Sequence, residues 1–310
     1  MFISKKCLLL LNLIFATLLI LPSSSYGCAC GCGLFDVGTN AMFPTGAGGM
    51  VFFEYNFLDQ NQNRNRSTSA SADDNGDKEI RTHFFKVGGQ YMFNRNWGAQ
   101  VEVPYWSRHF STTDDSGNSA IFDHAALGDI RLKGIYAGLF DDMSTGITFG
   151  LKLPTGDASY PSFDADTEIG TGSTDLLLGI YHLGKITQNN LWNWFVQVNL
   201  DEPILSKPGY LPGNEVNTVV GAYYNGWTFG EANKVAPILE LLASARGSDN
   251  GVLANEDASG YRRLLVSPGV ELDLGRFRIY ADIQAPLYQY YNGDQLSAPV
   301  GYKFGTLYSF

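Results

Sequence analysis

Hydrophobic and polar residues alternate along most of this chain with a period of two. Val300, Tyr302, Phe304, Tyr308 and Phe310 share one parity, and Gly301, Lys303, Gly305 and Ser309 the other. Ile147, Phe149, Leu151 and Leu153 alternate in the same way with Thr148, Gly150 and Lys152. Trp192, Trp194, Val196, Val198 and Leu200 alternate with Asn193, Gln197, Asn199 and Asp201. Such alternation marks strands with two unlike faces, because successive side chains of a strand point to opposite sides. The pattern predicts twelve strands, near residues 49–58, 80–93, 97–109, 127–139, 145–154, 173–185, 191–202, 215–228, 235–246, 261–274, 277–290 and 298–310. The segment from Gly226 to Asn233 blurs the eighth and ninth, so ten or fourteen strands also fit.

The connectors alternate in length. Asn94-Arg95-Asn96, Phe140 to Ser144, Ile186 to Asn190, Gly230 to Lys234 and Gly275-Arg276 are short. The connectors 59–79, 110–126, 155–172, 203–214 and 247–260 are long, with a smaller one at 291–297. Both chain ends fall on the short-turn side. This arrangement predicts an all-β fold, an antiparallel up-and-down transmembrane β-barrel with short periplasmic turns and long outer loops. A soluble sandwich would also alternate, but here the polar parity carries many charges and the apolar parity ends in aromatics, as at a lipid–water interface. The loop from Asn61 to Asp77 has no apolar anchor and is expected to be solvated.

Composition narrows the class further. Charged residues make up 17% of the 310 residues, against about 25% in an ordinary soluble domain. A formal net charge of −10 leaves little basic surface for phosphate contact, so a nucleic-acid partner is not expected. Beyond the first residues no apolar run is long enough for a transmembrane helix. At the N-terminus, Lys5 and Lys6 precede an apolar stretch from Leu8 to Leu21, and Ser25 and Gly27 stand at −3 and −1 to a cut before Cys28. Residues 1–27 read as a secretory signal peptide. Lipoprotein processing before Cys28 competes with that reading, although Ser25 stands where a lipobox has an apolar residue. Residues 28–48 then form a Cys/Gly-rich segment expected on the periplasmic side, and 49–310 the barrel.

The polar parity supplies the candidate pore lining: Lys86, Glu102, Arg108, Asp129, Arg131, Lys133, Lys152, Asp175, Glu240, Glu271, Arg278, Asp282 and Lys303. Charges within a bilayer span must face water or one another. They either line a narrow wet pore or neutralise each other and close the lumen. Inward Phe52, Phe84, Trp106 and Phe195 would suit an aromatic solute or simply fill space. Three cysteines, Cys28, Cys30 and Cys32, stand within five residues. Thiolates suit Cu(I) or Zn, while lipidation of Cys28 or a disulfide are the alternatives. The segment 33–50 could plug the lumen. Of the histidines, His83, His109 and His124 fall near the outer rim, and no spacing supports a catalytic constellation around them.

Three short stretches carry a family likeness: Gly128-Asp129-Ile130-Arg131-Leu132-Lys133-Gly134, Gly150-Leu151-Lys152-Leu153-Pro154-Thr155-Gly156-Asp157, and Gly170-Thr171-Gly172-Ser173-Thr174-Asp175-Leu176. With Asn292-Gly293 and Gln295-Leu296 before the last strand, they resemble the outer-membrane channel family labelled "MetA-pathway of phenol degradation", over roughly residues 80–310. The cysteine cluster lies outside that pattern. The resemblance implies passage of aromatic or other hydrophobic compounds across the outer membrane and no catalytic residue. The chain is therefore expected to be a non-enzymatic, passive outer-membrane channel for small molecules. Its partners would be outer-membrane lipid, the solute, and the barrel-assembly machinery, which the strand ending in Phe310 would engage. The alternative is a closed barrel whose cysteines hold a metal, a lipid anchor or a periplasmic redox partner.

Overall fold

The computed structural model describes residues 42–44, 46–113, 117–230 and 233–310. Their fold is a closed antiparallel barrel of 12 strands with 4 further short strands, as the alternation predicts. The barrel strands are β1 (Gly48–Gln60), β2 (Asp77–Met92), β3 (Trp97–Thr113), β4 (Arg131–Tyr136), β5 (Thr145–Lys152) and β6 (Ser173–Lys185). They continue as β7 (Trp192–Ser206), β8 (Glu215–Tyr224), β9 (Asn233–Arg246), β10 (Tyr261–Leu274), β11 (Phe277–Ser297) and β12 (Gly301–Ser309). Each pairs with the next, and β12 returns to β1 with Ser309 opposite Met50 and Gly301 opposite Leu58. That seam removes the open edge that a flat sheet would leave.

The two faces separate as the parity requires. Val51, Val87, Val101, Leu132, Ile147, Phe149, Ile180, Val220, Leu241, Ile283 and Phe304 are exposed on the outer wall. Glu54, Phe52, Phe84, Glu102, Phe195, Glu240 and Lys303 are buried within. Tyr91, Phe93, Trp97, Trp192, Trp227 and Tyr308 form an exposed aromatic group at the short-turn end. The last residue belongs to the seam: Gly49 N donates to Phe310 O at 3.0 Å and Phe310 N to Gly49 O at 2.9 Å. A Cβ at position 49 would lie 2.5 Å from the far end of the Phe310 ring, which would have to turn aside.

Several boundaries differ from the sequence expectation. The fourth strand does not begin at 127. Gly128-Asp129-Ile130 interrupts it, and the strand Ser119–Leu127 before the break pairs with the outer half of β3, Tyr105 opposite Leu127. Much of the expected loop 110–126 is thus hairpin. The polar run around Asn118 hides the alternation that Ile121 and Phe122 continue. The expected solvated loop 59–79 is ordered without an apolar anchor. Gln62–Arg66 pairs with the outer end of β11, Ser297 opposite Gln62, and Thr68–Ser69 folds back on it. Asn63 Nδ2 donates to Ser71 O at 2.8 Å and Asn75 Nδ2 to Asn63 Oδ1 at 3.1 Å. Backbone pairing and amide side chains replace the missing hydrophobic contact, and β11 consequently runs through the expected connector 291–297.

Close backbone packing gives a testable contrast between two wall glycines. A Cβ on Gly150 would press on the Leu132 carbonyl, whereas one on Gly89 meets nothing nearer than Met50 O at 3.8 Å. Gly150→Ala is expected to cut the yield of folded, heat-modifiable barrel in a refolding assay several-fold, and Gly89→Ala to leave it close to the parent.

Candidate functional site

The lumen wall carries a belt of opposed charges that the strand register creates. Glu54 on β1 faces Lys86 on β2, Lys152 on β5 faces Asp175 on β6, and Asp282 on β11 faces Lys303 on β12. Lys86 Nζ lies 2.6 Å from Glu54 Oε2 and 3.9 Å from Glu102 Oε2, and Lys303 Nζ lies 3.4 Å from Glu54 Oε1. Lys133 reaches Glu102 Oε1 at 3.1 Å and Arg131 reaches Asp201 Oδ2 at 3.0 Å. Lys152 pairs with Asp175. Tyr280 donates to Glu240 Oε2 at 3.1 Å. Glu240, Glu271 and Asp282 are all buried, while Arg278 lies 3.7 Å from Asp273 near the short-turn end. Of the residues chosen from the sequence, Lys86, Glu102, Arg131, Lys133, Lys152, Asp175, Asp282 and Lys303 meet in this belt, whereas Arg108 and Asp129 engage the connector after β5. The belt follows the wall, so pairing does not by itself bridge the centre.

Asp129 has a different task. It sits in the break before β4, and its carboxylate gathers both stems of the connector 153–172. Oδ1 accepts from Gly156 N at 2.9 Å, and Oδ2 accepts from Thr171 N at 2.8 Å and Thr171 Oγ1 at 2.7 Å. Thr155 Oγ1 accepts from Ile130 N at 2.9 Å. Gly156 and Gly170 touch: a Cβ on Gly170 would lie 2.4 Å from the Gly156 carbonyl carbon. The three sequence stretches that carry the family likeness therefore meet in one knot.

From this knot the connector folds into the barrel mouth. Arg108, 1% exposed, donates from Nη1 to Thr167 O and from Nε to Thr82 Oγ1 at 3.1 Å. Phe163 packs with Ile80, Phe110 and Leu296. His124 stacks on Tyr160 with centroids 4.0 Å apart, and its Nε2 lies 2.9 Å from Asp157 Oδ2. The connectors 207–214 and 247–260 meet the inward loop. Asp249 accepts from Tyr210 OH at 2.9 Å and Gly213 N at 2.8 Å and pairs with Arg246. Loss of bulk water, with Asp249 facing it, pushes the Asp166 carboxyl up to about 7 against partial relief from Arg246. Burial pushes Glu168 up to about 7 as well, with Lys207 opposing.

Between this inward loop and the wall lies a cavity of about 160 Å³. Trp106, Pro104, Ile169, Tyr210 and Pro212 supply apolar surface, and Lys86, Glu102, Arg131, Asp175, Asp201 and Glu215 supply charge. Its size matches a dry cavity of ~150 Å³ known to take one benzene ring. One side chain from before β1 also enters the lumen. Phe43, 5% exposed, stands 5.0 Å from the Tyr181 ring and 5.6 Å from the Phe195 ring, packed with Val219, Leu242 and Leu265. The part of residues 28–48 that is described thus includes a side chain inside the barrel. Sequence reasoning did not single out Phe43, Phe163 or Tyr210. The paired glycines at 156 and 170 were the one available signal of the inward loop.

Other candidates fall elsewhere. Cys28, Cys30 and Cys32 lie outside the described residues. His83 points to the outer wall, its Nδ1 2.9 Å from Tyr55 OH. His109 Nδ1 lies 2.8 Å from Asp123 Oδ1.

No family model matches this chain and no curated protein matches it. Solved structures do. The chain is similar to the COG4313 outer membrane channel from Pseudomonas putida F1, with TM-score 0.66 and 12% identity over 89% of this chain and 100% of that one. It is also similar to the beta domain of the Bordetella autotransporter BrkA, with TM-score 0.50 and 12% identity over 85% and 100%. The Pseudomonas putida toluene transporter TodX aligns at TM-score 0.40 and 11% identity over 84% and 89%. The likeness to the first two shows the barrel fold.

Two outcomes follow for the inward loop. Hydrogen bonds to a charged group contribute roughly 1.5–3 kcal/mol each. Asp129→Ala is therefore expected to release both stems and make residues 157–170 exchange amide hydrogens at least tenfold faster, while strands β1 and β12 stay protected. The second outcome concerns pH. Asp166 and Glu168 titrate above the ordinary carboxylate range of about 4, so the inward position favours their neutral forms. That stabilisation is complete below about pH 4 and is lost as pH rises through about 7. Amide protection of the loop is expected to be greater at pH 5 than at pH 8, and Asp166→Asn with Glu168→Gln is expected to flatten the difference.

Proposed function

We propose that this protein is an outer-membrane channel through which small molecules, aromatic or other hydrophobic compounds among them, diffuse passively. The observation that carries the reading is the pairing of a lipid-suited exterior with a ring-sized cavity inside one closed wall. A continuous apolar outer wall ending in aromatics is the surface that a bilayer accommodates. Closure satisfies the wall's backbone donors and acceptors within the sheet, which the hydrocarbon core requires of any spanning segment. The cavity combines Trp106, Tyr210 and Ile169 with charged neighbours, a surface suited to an amphipathic or aromatic solute. The similarity to a solved structure described as an outer membrane channel supports the same reading. The short turns then face the periplasm and the inward loop faces the cell exterior. The final strand, ending at Phe310, is the segment offered to the assembly machinery.

Phe43 stands in that path and acts as a stopper between Tyr181 and Phe195. Purified barrel in a planar bilayer is expected to give small conductance steps, and Phe43→Ala to enlarge them several-fold. A folded Phe43→Ala protein that stays electrically silent would sink the channel reading.

A further inference from the structure

The cavity is electrically lopsided in a way that its overall pairing conceals. Acidic side chains outnumber basic ones around it, seven to five. The basic ones are all committed. Lys86 is held by Glu54, Arg131 by Asp201, Lys152 by Asp175 and Arg246 by Asp249. Arg108 is spent on Thr82 Oγ1 and the Thr167 carbonyl. The carboxylates are not equally committed. Glu168, on the inward loop, is 8% exposed, lines the cavity, and its Oε2 accepts no hydrogen bond. Glu102 Oε2 likewise accepts none, with Lys86 Nζ 3.9 Å away. A guest cation would meet open acceptors here, whereas a guest anion would have to pull a lysine or arginine away from an existing partner. A group that breaks a buried ion pair leaves the other charge uncompensated, and that penalty falls only on the anion.

We infer that the lumen discriminates by charge, taking small organic ammonium ions with an apolar tail in preference to organic carboxylates, and that Glu168 is the principal acceptor of the ammonium group. The inference rests on the channel reading and names the class of guest. The ammonium donates to Glu168 Oε2 at the inward loop, and the tail lies along Trp106, Ile169 and Tyr210. Glu168 is a specificity-determining residue, since it sets which charge is admitted and takes no part in holding the barrel closed.

The test uses the full-length purified barrel and two readouts. The first is the reversal potential in a potassium chloride gradient at pH 8, above the Glu168 titration near 7, so that its carboxylate is ionised. The parent is expected to favour potassium over chloride by roughly threefold or more, as an unneutralised charge in a narrow, low-dielectric lumen would produce. Glu168→Gln, matched for heat-modifiable mobility, is expected to lose about half of that preference. An unselective or chloride-selective parent overturns the inference while leaving the channel reading in place. The second readout is calorimetric binding of hexylammonium chloride and sodium hexanoate to the protein in detergent, which needs no current. Hexylammonium is expected to bind several-fold tighter to the parent and to lose that advantage in Glu168→Gln. Equal binding of the two probes, or tighter binding of hexanoate, overturns the inference. If parent and Phe43→Ala are both silent, the channel reading fails on its own, and the calorimetric preference still decides whether the cavity favours the cation.

Discussion

The pairing of β1 with β12 is the contact on which the rest of the structure depends. Until Met50 meets Ser309 and Leu58 meets Gly301, the sheet has two raw edges and no inside. Once they meet, every barrel strand has two neighbours and the alternation of side chains acquires a physical meaning. One parity is enclosed, where charge can be hydrated or paired, and the other is turned outward. The tight fit of Gly49 against the Phe310 ring shows how little room the seam leaves.

Enclosure sets the second constraint, that interior charges must find one another. Strand register does most of this, since Glu54–Lys86, Lys152–Asp175 and Asp282–Lys303 are direct cross-strand neighbours. Oppositely charged neighbours at that spacing also favour the correct register, because a slip of one residue would turn every one of them outward. Pairs that run along the wall neutralise it without filling the lumen. The centre is left to the inward loop at one end and to Phe43 at the other, and the cavity is what remains between them.

The barrel was legible in the sequence because a closed wall with two unlike faces demands strict alternation, and alternation survives in a single chain. Strand count, lumen parity and the positions of the short turns all follow from it. What escaped is what alternation does not encode. Residues 62–66 are held by amide side chains and backbone edges, so their composition looks like that of a solvated loop. The strand Ser119–Leu127 continues the alternation only after a polar run and before a break at Gly128-Asp129-Ile130. Phe43 stands where no periodicity operates, and one aromatic between Met42 and Pro44 carries no sign that it is buried. The inward loop was half visible. Pro154-Thr155-Gly156-Asp157 and Gly170-Thr171-Gly172-Ser173 were conspicuous, but their meeting at Asp129 needs three dimensions to be seen.

The Asp129 knot also bears on how such a protein can change over generations. Because Gly156 and Thr171 are fixed to the same carboxylate, the connector leaves the wall and returns to it at nearly one point. Whatever lies between is a closed loop whose ends do not move when its middle does. Doubling the length of such a loop costs only ~0.6 kcal/mol in closure entropy. The exposed part of the connector can change length with the knot in place, while Phe163 and Thr167 keep its inward side tied to Phe110 and Arg108 on the wall. Drift in this connector is therefore bounded on two sides, by the knot at its stems and by the side chains it covers inside the barrel.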